Sequence, residues 1–329
     1  MQVRVKRGEM GIKVLSLCDG LSCGNMALEK LGIKVDAYYA SEIKTVAIST
    51  TKINFPNTVH IGDVTKVSYS NGILHTENGD FEVNFDLVMF GSPCQSFSRA
   101  MRTEKRIGLE DSMRSGIFLH CHRILNEVKP KYFFMENVVM KAEDEKVITD
   151  KLGVEPIKIN SKVITAQNRA RLYWTNIPQI KKLEPKNVKV QDILKDGYYP
   201  HDKTACLMKN ESHGYFNGGK WSGSKRFYRW YAKWFNTIIF PNKEDYDNCV
   251  AEYKRIVGDK KPSASLFDDY NGKVFDNFRY LWKEERARLQ TIPEKYIKNL
   301  SEKDAADLIG DGWTVDVIAH LLSGLKRQY

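Results

Sequence analysis

Three short segments hold the residue types that could do covalent chemistry. Gly91-Ser92-Pro93-Cys94-Gln95 places a thiol behind a proline, just after the apolar run 85–90. A loop that follows a strand and precedes a helix is an electropositive, partly exposed setting, and such settings favour the nucleophilic thiolate. Arg99, Arg102, Lys105 and Arg106 lie just downstream. Met135-Glu136-Asn137-Val138 supplies a carboxyl group, and Gln167-Asn168-Arg169-Ala170-Arg171 supplies two guanidinium groups two residues apart. Those two arginines share one face if the segment is extended. Alone, Cys94 reads as a small buried core group, as most of the six cysteines do. None of the six forms a Cys-x-x-Cys pair, so neither a zinc ribbon nor a thioredoxin-type site is indicated. What marks Cys94 out is a carboxyl group and cations that follow later strands of the same expected sheet.

A second set suits a nucleoside-bearing cofactor. Leu17-Cys18-Asp19-Gly20-Leu21-Ser22-Cys23-Gly24 is a glycine-bearing turn between a strand and a helix. Glycines there allow close approach of a ligand to backbone N–H groups. Glu42, ending the second strand, can accept both hydroxyls of a ribose. Asp63, ending the third strand, can accept from an adenine amino group. Each acid alone reads equally as a helix cap or turn carboxylate. Three such features after three successive strands favour an adenosine-bearing cofactor.

Positioning these groups requires alternating strands and helices. Strands are expected at 12–17, 35–40, 57–61, 85–90 and 132–135, with helices at 25–31, 43–53 and 113–128. Asn71-Gly72 and Asn78-Gly79 are hairpin signals, so a small β insertion is expected within 66–84. This rhythm predicts an α/β fold with a doubly wound, mainly parallel sheet, whose ligands bind at the carboxyl ends of the strands. After Pro178 the rhythm breaks. Residues 179–275 are rich in Lys, Tyr, Trp, Asn and Gly, with little periodicity. Helical signals return from Phe278, and Val315, Val317, Ile318, Leu321, Leu322 and Leu325 mark one helical face. The expected layout is a catalytic α/β domain at 1–178, a less regular module at 179–275, and a C-terminal segment at 276–329 returning to the first domain.

The chain has 329 residues, 42% of them apolar, as a globular fold requires. No apolar run approaches the ~20 residues that cross a bilayer, and the basic start has no apolar core behind it, unlike a secretory signal. A cytoplasmic setting is the resulting expectation. Lys and Arg total 51 against 41 Asp and Glu, a net charge of +10. That balance suits a polyanionic partner, or simply a well-solvated surface.

In order along the chain, Pro93-Cys94, Glu136-Asn137-Val138 and Gln167-x-Arg169-x-Arg171 resemble the hallmarks of the cytosine-C5 DNA methyltransferase family. The segment from Arg279 to Pro293, with Glu285-x-Ala287-Arg288-Leu289-Gln290, and Gly312-Trp313-Thr314-Val315-Asp316 also resemble its elements. The resemblance covers residues 12–178 and 278 to about 325. Ser41-Glu42 and the Trp313 element are most similar to the animal de novo branch and to compact phage or prophage enzymes. A Rossmann-like fold and sequence-specific DNA cytosine-5 methylation are what the resemblance implies. Catalysis would fall to Cys94, Glu136, Arg169 and Arg171. S-adenosyl-L-methionine, leaving as S-adenosyl-L-homocysteine, would contact Cys18, Asp19, Gly20, Leu21, Gly24, Glu42, Ile43, Asp63, Val64, Ser92, Pro93, Trp313 and Val315, with no metal. Double-stranded DNA would be flipped open at the target cytosine and held by Gln95, Ser96, Ser98 and Arg99, in a loop at 95–111 closing over the base. Residues 179–275 would be the target-recognition domain, with Arg226 and Arg229 on DNA. Its run from Lys220 to Trp234 mixes cations with aromatics that either stack on bases or form the module's own core. A monomer, with or without a cognate restriction endonuclease, is expected.

Three departures from the family pattern stand out: Cys18 where Phe is usual, Trp282 for Thr, and Asp316 for Pro. None removes a catalytic group. The rivals are a transfer-RNA cytosine-C5 methyltransferase of the same fold and a catalytically silent DNA-binding relative; intact Cys94, Glu136 and Arg171 argue against the latter. An amino-methylating enzyme would show Asp/Ser-Pro-Pro-Tyr/Phe in place of Ser92-Pro93-Cys94-Gln95. A nicotinamide dehydrogenase leaves all three catalytic motifs unexplained.

Overall fold

A computed structural model describes residues 11–94, 97, 116–178, 182–208, 215–216, 219–220 and 222–327. The chain divides into two compact units. The first comprises residues up to 160, 170–183 and 315 onward. It begins with β1 (Ile12–Leu17), α1 (Cys23–Leu31), β2 (Val35–Ser41), α2 (Thr45–Asn54) and β3 (Thr58–Gly62). α1 stops where the sequence predicts: Gly32 takes the left-handed conformation (φ 67°), and its N–H closes onto the Glu29 and Leu28 carbonyls.

A three-stranded antiparallel meander follows: β4 (Ser68–Ser70), β5 (Ile73–Thr76) and β6 (Gly79–Glu82). Asn71 and Gly72 both have positive φ, at 51° and 81°, as a type I′ hairpin requires. The second turn lies one residue earlier than Asn78-Gly79 suggests: Thr76 pairs with Gly79, so the turn is Glu77-Asn78. The unit continues with β7 (Leu87–Phe90), α3 (Ile117–Val128), β8 (Tyr132–Val138), α4 (Ala142–Leu152), β9 (Ile157–Asn160) and β10 (Ala170–Thr175).

These strands form a seven-stranded sheet in the order β3-β2-β1-β7-β8-β10-β9. Strands β3, β2, β1, β7 and β8 run parallel, and β10 is antiparallel to both β8 and β9. The four residues of β7 are all buried, the near-continuous apolar run of a central parallel strand. Phe118, Cys121 and Ile124 of α3 pack with Leu15, Leu17, Phe90, Met135 and Trp174 of the sheet in one core.

The second unit comprises residues 161–169 and 184–314. It contains β11 (Tyr215–Phe216) paired with β12 (Gly219–Lys220), α5 (Gly223–Lys233), β13 (Ile238–Ile239), α6 (Lys243–Val257), β14 (Arg279–Tyr280), α7 (Lys283–Leu289) and α8 (Glu302–Asp311). β13 pairs with β14. Two helices thus occupy a stretch that shows little periodicity in aliphatic residues. The stripe on α6 is Tyr246, Cys249, Tyr253 and Val257, a helical spacing written largely in aromatics and cysteine. In α5, Phe227 and Trp230 are three apart and buried. Around them Phe240, Tyr253, Phe267 and Phe275 form an aromatic core, with Phe227 5.1 Å from Phe275 and 6.0 Å from Phe240. Compactness also divides the C-terminal segment. α7 and α8 belong to the second unit, whereas α9 (Val315–Leu322) belongs to the first and packs on α1. Among the described residues no helix is long and apolar enough to cross a membrane.

Candidate active site

Register places the chemistry at one edge of the first unit's sheet. Phe90 pairs with Met135, so residues 91–94 leave β7 beside Glu136 of β8. Asn137 fixes that exit: its Nδ2 donates to the Ser92 carbonyl at 3.3 Å and to Ser92 Oγ at 3.2 Å, and its Oδ1 accepts from the Val138 N–H at 2.8 Å. Ser92 is buried, Cys94 is partly exposed, and the Phe97 N–H donates to the Cys94 carbonyl at 3.0 Å.

Glu136 pairs across to Tyr173, and Arg171 to Val138. Cross-strand partners share a face, so Glu136 and Arg171 are diagonal neighbours on it. Arg171 Nε lies 3.0 Å from Glu136 Oε1, with only 13% and 11% of the two side chains exposed. This pair lies at the same edge of the sheet as the β7 exit that carries Cys94.

The expected shared face for Arg169 and Arg171 is not formed. β10 starts at Ala170, after Arg169. The Arg169 guanidinium belongs to the second unit and is buried there. It donates to the carbonyls of Leu207, Gly310 and Gly312, at 3.2, 3.2 and 2.8 Å. Gln167 of the same motif is also enclosed in that unit, donating to the Leu289 carbonyl and accepting from the Leu207 N–H. Two of the three named residues of the Gln-x-Arg-x-Arg signature are thus held in buried hydrogen bonds of the second unit.

The cofactor-side residues gather at the ends of β1, β2 and β3. Gly20 N–H donates to Glu42 Oε2 at 2.8 Å, and Glu42 Oε1 accepts from the N–H groups of Ile43 and Lys44 at 2.8 and 2.9 Å. Gly20 has φ 58°, and a Cβ there would meet nothing within 4 Å, so the loop backbone is open to a ligand. Ile43 beside it is 70% exposed, an apolar surface at the rim. Asp63 caps the short turn after β3, accepting from Thr65 N–H, while its own N–H donates to Glu77. An open glycine backbone, a rigid carboxylate and an exposed aliphatic face fit an adenosine-bearing group.

Asp19 is held by Ser16 Oγ, Tyr38 OH and Ser22 Oγ, all donating to its carboxylate. Burial pushes its carboxyl up to about 6 against the lowering effect of these bonds. Ser16 and Tyr38 are absent from the sequence-derived site. Their spacing carries no motif: Ser16 reaches Asp19 locally, three residues away, and the pairing of β1 with β2 brings Tyr38. Leu21 and Val64 are buried, and Gly24 packs so closely that a Cβ would meet Met89 Cε at 2.5 Å. Val315 is buried in the first unit, and Trp313 falls within the second.

A model of the family described as "C-5 cytosine-specific DNA methylase" matches residues 12–327. The chain belongs to this family. It is 32% identical over 224 residues to the type II methyltransferase M.NgoBV of Neisseria gonorrhoeae, covering 60% of the chain and 49% of that relative. The chain thus spans about half the length of that relative. It is 26% identical to the type II methyltransferase M.NlaX of Neisseria lactamica, over 95% of the chain and 96% of the relative. The structure of the Entamoeba histolytica methyltransferase EhMeth superposes with a TM-score of 0.65 at 17% identity, over 98% of this chain and all of that one. The fold is Rossmann-like.

Membership in the methylase family makes its departures readable. Cys18 has φ 56° and packs against the core that holds Cys121. Asp316 pairs with Lys30, joining the first turn of α9 to α1. Trp282 lies under the Arg279 guanidinium at 5.1 Å. Arg279 also meets Glu285 at 2.8 Å, and Glu285 is fully buried. The residues Gln95, Ser96, Ser98 and Arg99 lie outside the described residues. Arg226 stands 5.0 Å over the Phe278 ring and Arg229 5.0 Å over Phe235, each half-buried.

Proposed function

We propose that this chain is a DNA cytosine-5 methyltransferase with Cys94 as its covalent nucleophile. The Glu136–Arg171 pair beside the Asn137-anchored Cys94 loop carries the reading. Cytosine C5 is weakly nucleophilic, and covalent activation overcomes this. The Cys94 thiolate adds to C6 and pushes electron density toward C5. Glu136 holds the N3 and N4 edge of the base and stabilises protonation at N3. Arg171 orients Glu136 and offsets negative charge that develops on the ring. After methylation at C5, loss of the C5 proton expels Cys94 and restores the aromatic ring.

Glu42 and Asp63 would hold the ribose and adenine of S-adenosyl-L-methionine, with the Gly20 backbone and Ile43 lining its approach. When bound, it supplies an electrophilic methyl group and leaves as S-adenosyl-L-homocysteine. No metal enters the chemistry as written. The target base is inaccessible inside a duplex, so it is flipped out at a cost of a few kcal/mol. The second unit, with residues 179–275, serves as target-recognition domain. A cognate restriction endonuclease is the natural partner, because M.NgoBV and M.NlaX carry type II names.

Bisulfite sequencing of DNA from cells expressing the protein tests the activity. New 5-methylcytosine is expected in one short sequence context and is lost in Cys94→Ser. Unchanged DNA together with methylated transfer RNA would sink the DNA reading. Duplex DNA carrying 5-fluorocytosine should trap a covalent adduct, since the proton at C5 is replaced. Equal trapping by Cys94→Ser would reject this nucleophile.

A further inference from the structure

We infer that Trp234, backed by His201, is a stacking platform for a nucleobase of the DNA substrate. The inference rests on the proposed DNA methylation and adds a contact outside the reacting base's own site.

α5 ends in a tight reversal. The Trp234 N–H closes onto the Trp230 carbonyl at 3.0 Å, and the Phe235 N–H reaches back to the Arg229 carbonyl at 3.2 Å. Trp234 itself has φ 53° and ψ 37°. This position is usually glycine, because a side chain in the left-handed region is disfavoured. Asn236, two residues on, also has a positive φ of 60°. A large aromatic residue held in a disfavoured backbone conformation is a candidate for a functional role.

Its side chain gains little from burial in return. Trp234 is 50% exposed, whereas Phe227 and Trp230 on the same helix are 0% and 2% exposed. The aromatics of the recognition module therefore divide into two groups. One builds the core, and Trp234 continues that array to the surface. Buried Tyr199 meets Trp230 at 5.8 Å, His201 meets Tyr199 at 5.8 Å, and His201 meets Trp234 at 4.9 Å. The outer ring is thus braced from one side and open on the other. Its immediate neighbours suit a polyanion: Lys233 is exposed, and Arg229 lies over Phe235. The exposed Asp202, next to His201, is compensated by Lys189 at 3.3 Å. A nucleobase offers the matching surface, a flat apolar face with a phosphate within reach of a cation.

The test compares wild type, Trp234→Phe and Trp234→Gly in steady-state methylation of duplex DNA. Trp234→Gly is expected to raise the KM for DNA about tenfold, the range seen when one aromatic–base stack is lost. Its thermal midpoint should hold or rise, because glycine relieves the left-handed strain. Trp234→Phe, which keeps a ring, should stay within about threefold of wild type. Affinity for S-adenosyl-L-methionine should not change in either variant. An unchanged DNA KM in Trp234→Gly overturns the platform. So does a raised KM accompanied by a fall in thermal midpoint and in methyl-donor affinity, which would make Trp234 a structural residue. If wild type methylates no DNA, the functional reading fails first. A tenfold effect seen only with RNA would overturn the assignment to DNA.

Discussion

Glu136 and Arg171 are each almost enclosed, and each satisfies the other's charge at 3.0 Å. Removing one charge leaves the other buried without its counter-charge, which costs more than the pair itself contributes. Glu136→Gln should therefore lower kcat by roughly 10²–10⁴-fold, the usual contribution of a positioned acid–base group. Donor affinity should stay constant by equilibrium titration, because Glu42 and Asp63 are separate from the pair. A kcat within a factor of ten of wild type would remove Glu136 from the reaction. Asp19 gives a pH-dependent prediction. Its carboxyl sits at about 6, above the ordinary 3.8, so the folded state favours the neutral form. Stability from this group is full below about pH 4 and is lost as pH rises through about 6. Denaturant unfolding of wild type and Asp19→Asn should show wild type gaining on the variant as pH falls from 7 to 4. The gain should be on the order of 2–3 kcal/mol. A difference that stays flat across that window would contradict the burial of Asp19.

At the scale of elements, legibility followed the chemistry of the apolar residues. β1, β7 and β8 are readable because Ile, Leu, Val and Phe repeat at strand spacing, and α1 because it stops at Gly32. Cys94, Glu42 and Asp63 are readable because each follows a strand, and Glu136 lies near the end of β8. α5 and α6 are not, because Tyr, Trp and Cys hold their buried faces and read equally as surface aromatics. Arg169 misleads because alternation in sequence implies a shared face only inside a strand, and β10 begins one residue later. Tyr38 escapes notice because its contact with Asp19 depends on strand pairing. The aromatic core of α5 leads to a prediction of its own. Phe227→Ala should cost about 3–5 kcal/mol, as for other large buried side chains. Circular dichroism melting should show the second unit unfolding earlier, and an unaltered melt would mean Phe227 is not central to that core.

At the scale of the whole molecule, the charge of +10 now has a proposed partner. Each phosphate neutralised releases a counterion, so affinity falls steeply with salt. Raising salt from about 50 to 200 mM should weaken binding of a target duplex by at least about tenfold. Fluorescence anisotropy measures this, and a flat response would assign the basic surface to solvation alone. The chain's division also departs from its order. Residues 161–169 and 184–314 form one unit, while 170–183 and the residues from 315 onward return to the other.

One latch has a wider consequence. The Gly20 amide is held by the Glu42 carboxylate, and that carboxylate also accepts from the Ile43 and Lys44 amides. The loop after β1 is thus shaped by the residue after β2, twenty-two positions away. The carboxylate is set locally by the Ile43 and Lys44 amides, but the backbone at Gly20 is not set by its own segment alone. Transplanting the Leu17-to-Gly24 turn into another strand–helix unit would therefore carry its sequence but not its shape. Sequence drift at position 42 would be felt first as a change in the backbone at position 20, before any ligand is bound.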